Sequence, residues 1–354
     1  MAEHSHDWRF WRPVARWIAR LFRTVWNTKG LARWIFLTGL ALTFMFVIFA
    51  LFAPWIAPYD FAQTSVDGVR FPKLGGPSSA HILGTNDQFY DIFSRVIWGA
   101  RTALQVVLLS VVLSALIGVP LGLLSGFIGG WVDRIAVFLM DALYSFPSLL
   151  LAIVFSFLLR NAIGGGILAA ALSLTAIYIP QYFRVVRNTT VSAREATYVE
   201  AARAIGAKPV TIMRKYLFGN VVQSVPVIGT LNAADALGTL AALGFLGLGI
   251  QPTEAAEWGY DLSRALDDVS AGRFAPAFWP GLAIVLLITA LTLVGEGLNE
   301  TLNPALRRRR IRQAVLPPRS DDSVADFMAD TQTGTSASAW ADPDGADGSK
   351  ETPR

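Results

Sequence analysis

The sequence predicts an all-α, polytopic integral membrane protein with six transmembrane helices, and three observations predict it. Hydrophobic residues make up 53% of the 354 residues and charged ones only 16%, against about a quarter in soluble domains. The apolar residues gather in runs of roughly 20 or more, long enough for a helix rising ~1.5 Å per residue to cross a ~30 Å hydrocarbon core. Basic and acidic residues are segregated between the intervening segments, as expected when Lys and Arg stay on the cytoplasmic side.

Residues 1–33 are basic and aromatic. Arg12, Arg16, Arg20 and Arg23 recur at helical spacing, with Val14, Ile18, Leu21, Phe22 and Val25 between them. This pattern predicts a cytoplasmic amphipathic helix on an anionic lipid leaflet. Nucleic-acid binding is the weaker rival once the spans that follow are counted, and none is expected. A cleaved signal peptide fits poorly, because the first apolar run is too long and lacks a small-residue cleavage site.

The spans are expected at 34–57, 101–127, 132–159, 163–186, 221–250 and 276–298, within a transmembrane domain of 34–306. Pro54 and Pro58 help end the first. A polar, Gly- and Pro-containing loop (59–98) separates the first two, and an acidic loop (251–275) precedes the last. That loop holds Glu254, Glu257, Asp261, Asp267 and Asp268 against Arg264 and Arg273. The segment between the fourth and fifth spans carries Arg184, Arg187, Arg194, Arg203, Lys208, Arg214 and Lys215 against Glu195 and Glu200, and Arg307–Arg310 with Arg312 follow the sixth. Six crossings place both loops outside and both termini in the cytoplasm of a cell-membrane protein. Residues 307–354 begin basic, then turn to Ser, Thr, Gly, Ala and Asp. They cannot bury enough apolar area to offset their ordering entropy, so a disordered cytoplasmic tail is expected.

Several chemistries find no support. Cysteine is absent, which excludes disulfides and thiolate sites. His4, His6 and His81 are too few and scattered for a metal centre, and none is expected. No Gly-x-x-x-x-Gly-Lys-[Ser/Thr] phosphate loop or Gly-x-Ser-x-Gly elbow occurs, so neither a nucleotide site nor an enzyme is expected in this chain.

Two groups of residues remain as candidates. Around 193–209 the sequence favours a helix too short and polar to span. Gly206 can end it, and Pro209, after Ala207, can start another. It suits either docking into a partner's groove or a solvated loop. Inside the spans, Asp141, Asn232, Asp235 and Glu296 are costly in lipid and each needs a reason. Asp235 is the most interior. It reads as a residue lining a solute path, a proton relay, or a side chain bonded to a neighbouring helix, while Glu296 reads as interfacial. Small residues cluster at Gly118, Gly122, Gly126, Gly129 and Gly130, then at Gly238, Gly244, Gly247 and Gly249. Close helix packing is their expected role.

Glu200-Ala201-Ala202, three residues and Gly206, set between two spans, resemble the Glu-Ala-Ala signature of ABC importer permeases. Other segments resemble the C-type subunit of the dipeptide/oligopeptide/nickel permease family: His81–Thr85, Asp91–Arg95, Gly99–Ala103, Gly129–Asp133, Phe146–Leu150, Gly244–Gly249, Trp279–Leu282 and Leu302–Pro304, all in order over about residues 30–306. The resemblance implies a type I importer permease fold and a subunit of an ATP-driven importer of dipeptides or oligopeptides. It further implies a homologous permease partner, two cytoplasmic ATPase subunits that bind the ATP and Mg, and an extracytoplasmic solute-binding protein. Glu200, Ala201, Ala202, Gly206, Ala207 and Pro209 would form the ATPase-coupling helix, and Asp235, Asn232 and Asp141 are candidates for the path. The sequence departs from the family at Leu217-Phe218-Gly219, where a Leu-Pro pair is usual. It departs again at Phe89-Tyr90, where Gly-Arg is usual, and at Leu240, where a glutamate is common. Import of nickel or another solute, and ATP-independent secondary transport, are the alternatives.

Overall fold

The structure, a computed structural model, describes residues 31–302. The predicted tail and nearly all of the predicted amphipathic segment lie outside these residues. Helix α1 (Leu31–Leu51) is followed by the short α2 (Ala53–Ile56), with Pro54 in the first turn of α2, where its missing N–H costs nothing. The loop beyond carries a two-stranded hairpin, Ser65–Val66 with Val69–Arg70. Asp67 and Gly68 both take positive φ at its turn, as a two-residue hairpin favours.

α3 (Ile92–Ile128) begins nine residues before the predicted start. Asp91 caps it by accepting a hydrogen bond from Ser94 N at 2.8 Å, and His81 Nδ1 lies 2.9 Å from the other oxygen of that carboxylate. The single predicted span at 132–159 is corrected. It is two helices, α4 (Gly130–Tyr144) and α5 (Ser148–Ile163), bent by 94°. Pro147 supplies the reason, since it cannot donate its N–H and pushes Phe146 out of the helical region. Among the described residues five helical segments are long and apolar enough to cross a membrane, and six if the bent pair is one broken span.

α6 (Gly166–Arg194) packs most extensively on α3. Gly118, Gly122 and Gly126 make this possible: a Cβ at Gly122 would lie 2.6 Å from Phe183 O, and one at Gly126 2.8 Å from Arg187 O. The predicted packing role of these three glycines is therefore met on a single face. Next come α7 (Thr197–Ala204), α8 (Pro209–Thr211), a π-helical turn (Ile212–Leu217), α9 (Phe218–Val221) and α10 (Val225–Phe245). From Pro209 to Phe245 the chain stays helical, so Gly219 makes no break. The irregular turn at Val222–Ser224 falls where Pro226 has no N–H to return to Val222.

The acidic loop contains a helix that the sequence reading missed, α11 (Trp258–Ser270), before the last span α12 (Ala275–Leu302). α12 lies against α1, α10 and α11. The common core joins Leu174, Tyr178 and Tyr182 of α6, Leu237, Leu240 and Leu243 of α10, Trp258 of α11 and Leu287 of α12. α4 has no buried residue along its length, and Asp133 in its first turn is bound by Arg187 of α6 at 2.5 and 2.6 Å.

Candidate functional site

The short α7 is positioned by one face and displayed by the other. Val199 and Ala202, three residues apart and so on one side, are 0% and 3% exposed. They pack with Ile212 and Leu217 of the π-helical turn and with Leu123 and Phe127 of α3. Tyr198 Oη accepts a hydrogen bond from Asn220 Nδ2 at 2.8 Å. The opposite face presents Glu200, Ala201 and Ala204 to solvent, continued by Ile205 at 80% exposure and Val210 at 66%.

Gly206 ends the helix in a left-handed conformation, φ 77°. Its N–H donates to Arg203 O and that of Ala207 to Ala202 O, at 2.9 and 3.0 Å. These two bonds form a Schellman cap. Nothing lies within 4 Å of a Cβ built at Gly206, so its backbone angle, not crowding, requires glycine. Pro209 opens α8, as expected. Of the signature triplet, Glu200 and Ala201 face outward, while Ala202 is committed to the subunit's own packing.

The three candidate path residues separate. Asp235 is exposed, on an α10 stripe with Leu231, Gly238 and Ala242. Tyr178, fully buried, donates its hydroxyl to Asp235 Oδ2 at 2.8 Å. Asp141 on α4 pairs with Arg184 of α6 at 2.9 Å, and the two side chains remain 57% and 43% exposed. The Arg184 guanidinium also lies 4.1 Å from the centre of the Tyr144 ring. Asn232 is 3% exposed. It lies one step of ~100° around α10 from Leu231, among the buried Ala233 and Ala234, so the structure removes it from the open face. Glu296 lies within α12 and is exposed.

Sequence reading missed a cluster at the α11 end of the bundle. Arg95 binds Asp261 through two hydrogen bonds, Nη2–Oδ1 at 2.6 Å and Nε–Oδ2 at 2.9 Å. Both residues are buried. Beside them Glu257 caps α11, accepting from Gly259 N at 2.8 Å and Tyr260 N at 2.7 Å. Burial drives the Glu257 carboxyl up to about 8, although its backbone hydrogen bonds pull it down. Burial also raises Asp261, against the pull of Arg95. Gly244 is obligatory here, because a Cβ on it would occupy the space of Glu257 Oε2. Trp258 Nε1 reaches back to Val96 O at 3.1 Å.

The departures from the family find local reasons. Phe89 takes φ 67°, a conformation that glycine adopts freely. Here Arg70 lies over the Phe89 ring at 4.5 Å and Arg95 over the Tyr90 ring at 4.8 Å. Leu240 is 1% exposed within the core, where a glutamate would require a partner.

A helical bundle with bent and continuous candidate spans, and with a short helix displayed between two of them, is the architecture of a polytopic membrane protein. The chain belongs to the family of binding-protein-dependent transport system inner membrane components, whose description matches residues 118–308. Residues 31–72 match the N-terminal transmembrane domain of oligopeptide transport permease C. The glutathione transport system permease protein GsiD of Escherichia coli O1:K1 is 37% identical over 272 residues, covering 77% of this chain and 86% of its own length. GsiD of Shigella flexneri serotype 5b is 38% identical over the same extent. A chain of the MetNI methionine ABC transporter, solved in inward-facing conformations, is 20% identical with a TM-score of 0.49, over 59% of this chain and 96% of that one. This protein is therefore a multi-pass inner-membrane permease subunit of an ABC importer of the peptide/oligopeptide family. Such a subunit works with ATPase subunits and a solute-binding protein.

Proposed function

We propose that this chain is the C-type permease of a peptide importer, pairing with a homologous permease to enclose the solute path. Two cytoplasmic ATPases supply the work and bind the ATP and Mg. A solute-binding protein delivers peptide from the other side, and membrane lipid covers α1 and α12, where Trp34, Phe44 and Val285 stand exposed. Both termini lie in the cytoplasm, in keeping with the basic segment around α7. The domain bounds follow the same reading, with 34–306 as the permease domain between cytoplasmic end segments.

The observation that carries this reading is the split surface of α7. Its inner face is seated on the π-helical turn leading into α10, and its outer face sets the small Ala201 and Ala204 between the charged Glu200 and Arg203. Small side chains let a partner's groove approach closely, and Ile205 offers an apolar anchor. Closure of the ATPases would shift α7 as a unit, and the continuous helix from Pro209 to Phe245 would carry that shift to the path. This is a two-state, rigid-body mechanism, driven by different contacts in each state. A peptide solute is favoured over nickel because relatives 37–38% identical are glutathione permeases.

The test replaces outward residues only. Ala201→Tyr and Ile205→Glu in the assembled transporter should lower ATP-dependent uptake of glutathione or tri-alanine at least tenfold, while membrane insertion is unchanged. Uptake equal to the unmodified protein's, or uptake without ATP hydrolysis, would refute coupling through α7.

A further inference from the structure

Asp235 sits ten residues from either end of α10 (Val225–Phe245), about 15 Å along the axis at ~1.5 Å per residue. The helix runs on N-terminally to Pro209, so the depth is counted from Phe245: with that end at the edge of a hydrocarbon layer ~30 Å thick, Asp235 falls near the middle, where a charged group facing lipid is strongly disfavoured. Yet Asp235 is exposed in this subunit, and the rest of its stripe, Leu231, Gly238 and Ala242, is apolar or without a side chain. The carboxylate is held from one side only. Tyr178 donates to Oδ2 at 2.8 Å, and the Tyr178 hydroxyl itself lies 3.4 Å from Thr239 Oγ1. Tyr178 is 0% exposed, so its hydroxyl is a fixed donor and sets the direction of the carboxylate. Among the described residues Oδ1 accepts no hydrogen bond, and no Lys, Arg or His forms an ion pair with Asp235. A fixed, half-satisfied carboxylate on an apolar wall attracts a cation.

We propose that Asp235, oriented by Tyr178, is a mid-membrane recognition point for an ammonium group on the passing solute, such as the amino terminus of a peptide. This rests on the reading of the chain as a permease. A single carboxylate with no second charge suits transit: it draws the ammonium in from either side and does not hold it with a network. The apolar neighbours leave the rest of the solute unread, so one point can serve peptides of different sequence.

The chain has no cysteine, which makes the test direct. Leu231→Cys is introduced into the complete transporter, with the other subunits' cysteines replaced. Its rates of reaction with a cationic and an anionic methanethiosulfonate reagent are compared. With Asp235 in place the cationic reagent should be favoured. Asp235→Asn should lower the cation-to-anion rate ratio about 3- to 10-fold, as expected for a unit charge ~6 Å away in a partly aqueous path. Millimolar tri-alanine should slow the cationic reagent in the Asp235 protein, and N-acetyl-tri-alanine should not. A ratio unmoved by Asp235→Asn means that a residue of the neighbouring permease already neutralises the carboxylate, and it overturns the proposal. Equal protection by the two peptides overturns it as well. Failure of the permease reading looks different: Ala201→Tyr and Ile205→Glu would then leave uptake intact, whatever the labelling ratio.

Discussion

At the α11 end of the bundle Arg95, Glu257 and Asp261 are between 2% and 6% exposed, and each carboxylate meets donors within its own subunit. Along α4 the Asp141–Arg184 pair is left roughly half open, and no residue of that helix is buried. The first region is finished by one polypeptide, with glycines at 244 and 259 letting α10 and α11 meet. The second is tied to its own subunit near the start of α4, where Arg187 binds Asp133 through two hydrogen bonds, and stays open around Asp141. The proposed pairing with a second permease would use both kinds of surface: one to hold the subunit's shape and one to meet a neighbour.

The contrast can be broken most severely at Arg95. Arg95→Met would strand Asp261 in the interior, and breaking one partner of a buried pair costs about 3–5 kcal/mol. Thermal unfolding of the purified transporter should drop accordingly, and Arg95→Met combined with Asp261→Leu should recover most of the loss. Next in size is the pH response of Glu257. Its carboxyl ordinarily titrates near 4.5 and is held near 8 in the fold. Between these values the folded state keeps a proton that the unfolded state gives up. Stability therefore falls as pH rises from about 4.5 to about 8 and levels above it. The loss is on the order of a few kcal/mol, at ~1.4 kcal/mol for each unit of the shift, and Glu257→Gln should flatten the slope when unfolding is followed from pH 5 to 9. The smallest effect belongs to Asp141→Asn. An exposed pair contributes about 0–1 kcal/mol, so unfolding should barely move. A large destabilisation there would mean that α4 is as self-sufficient as the α11 end.

How much of this was legible in the sequence depended on range. The long spans, the end of α7 at Gly206 and the close-packing glycines of α3 follow from rules that act within a few residues. The 94° bend was half legible: Pro147 marks it, but the apolar run continues through and conceals the break. α11 was written in the alternation of Trp258, Leu262, Ala265 and Leu266 with acidic residues, yet the loop's charge drew attention away from its period. The Arg95–Asp261 pair joins positions 166 apart, and no local pattern announces it. Asn232 and Asp235 look equivalent as polar residues in one helix, and only the neighbours of each face separate them.

The π-helical turn between α8 and α9 has a mechanical consequence. Such a turn holds one residue more than an α-helical turn. If that surplus residue were absorbed into regular winding, everything beyond would swivel by about 100°, the angle per residue of the helix. The face that α7 displays and the span α10 behind it would then turn relative to one another by a quarter-circle or more, without either helix being broken.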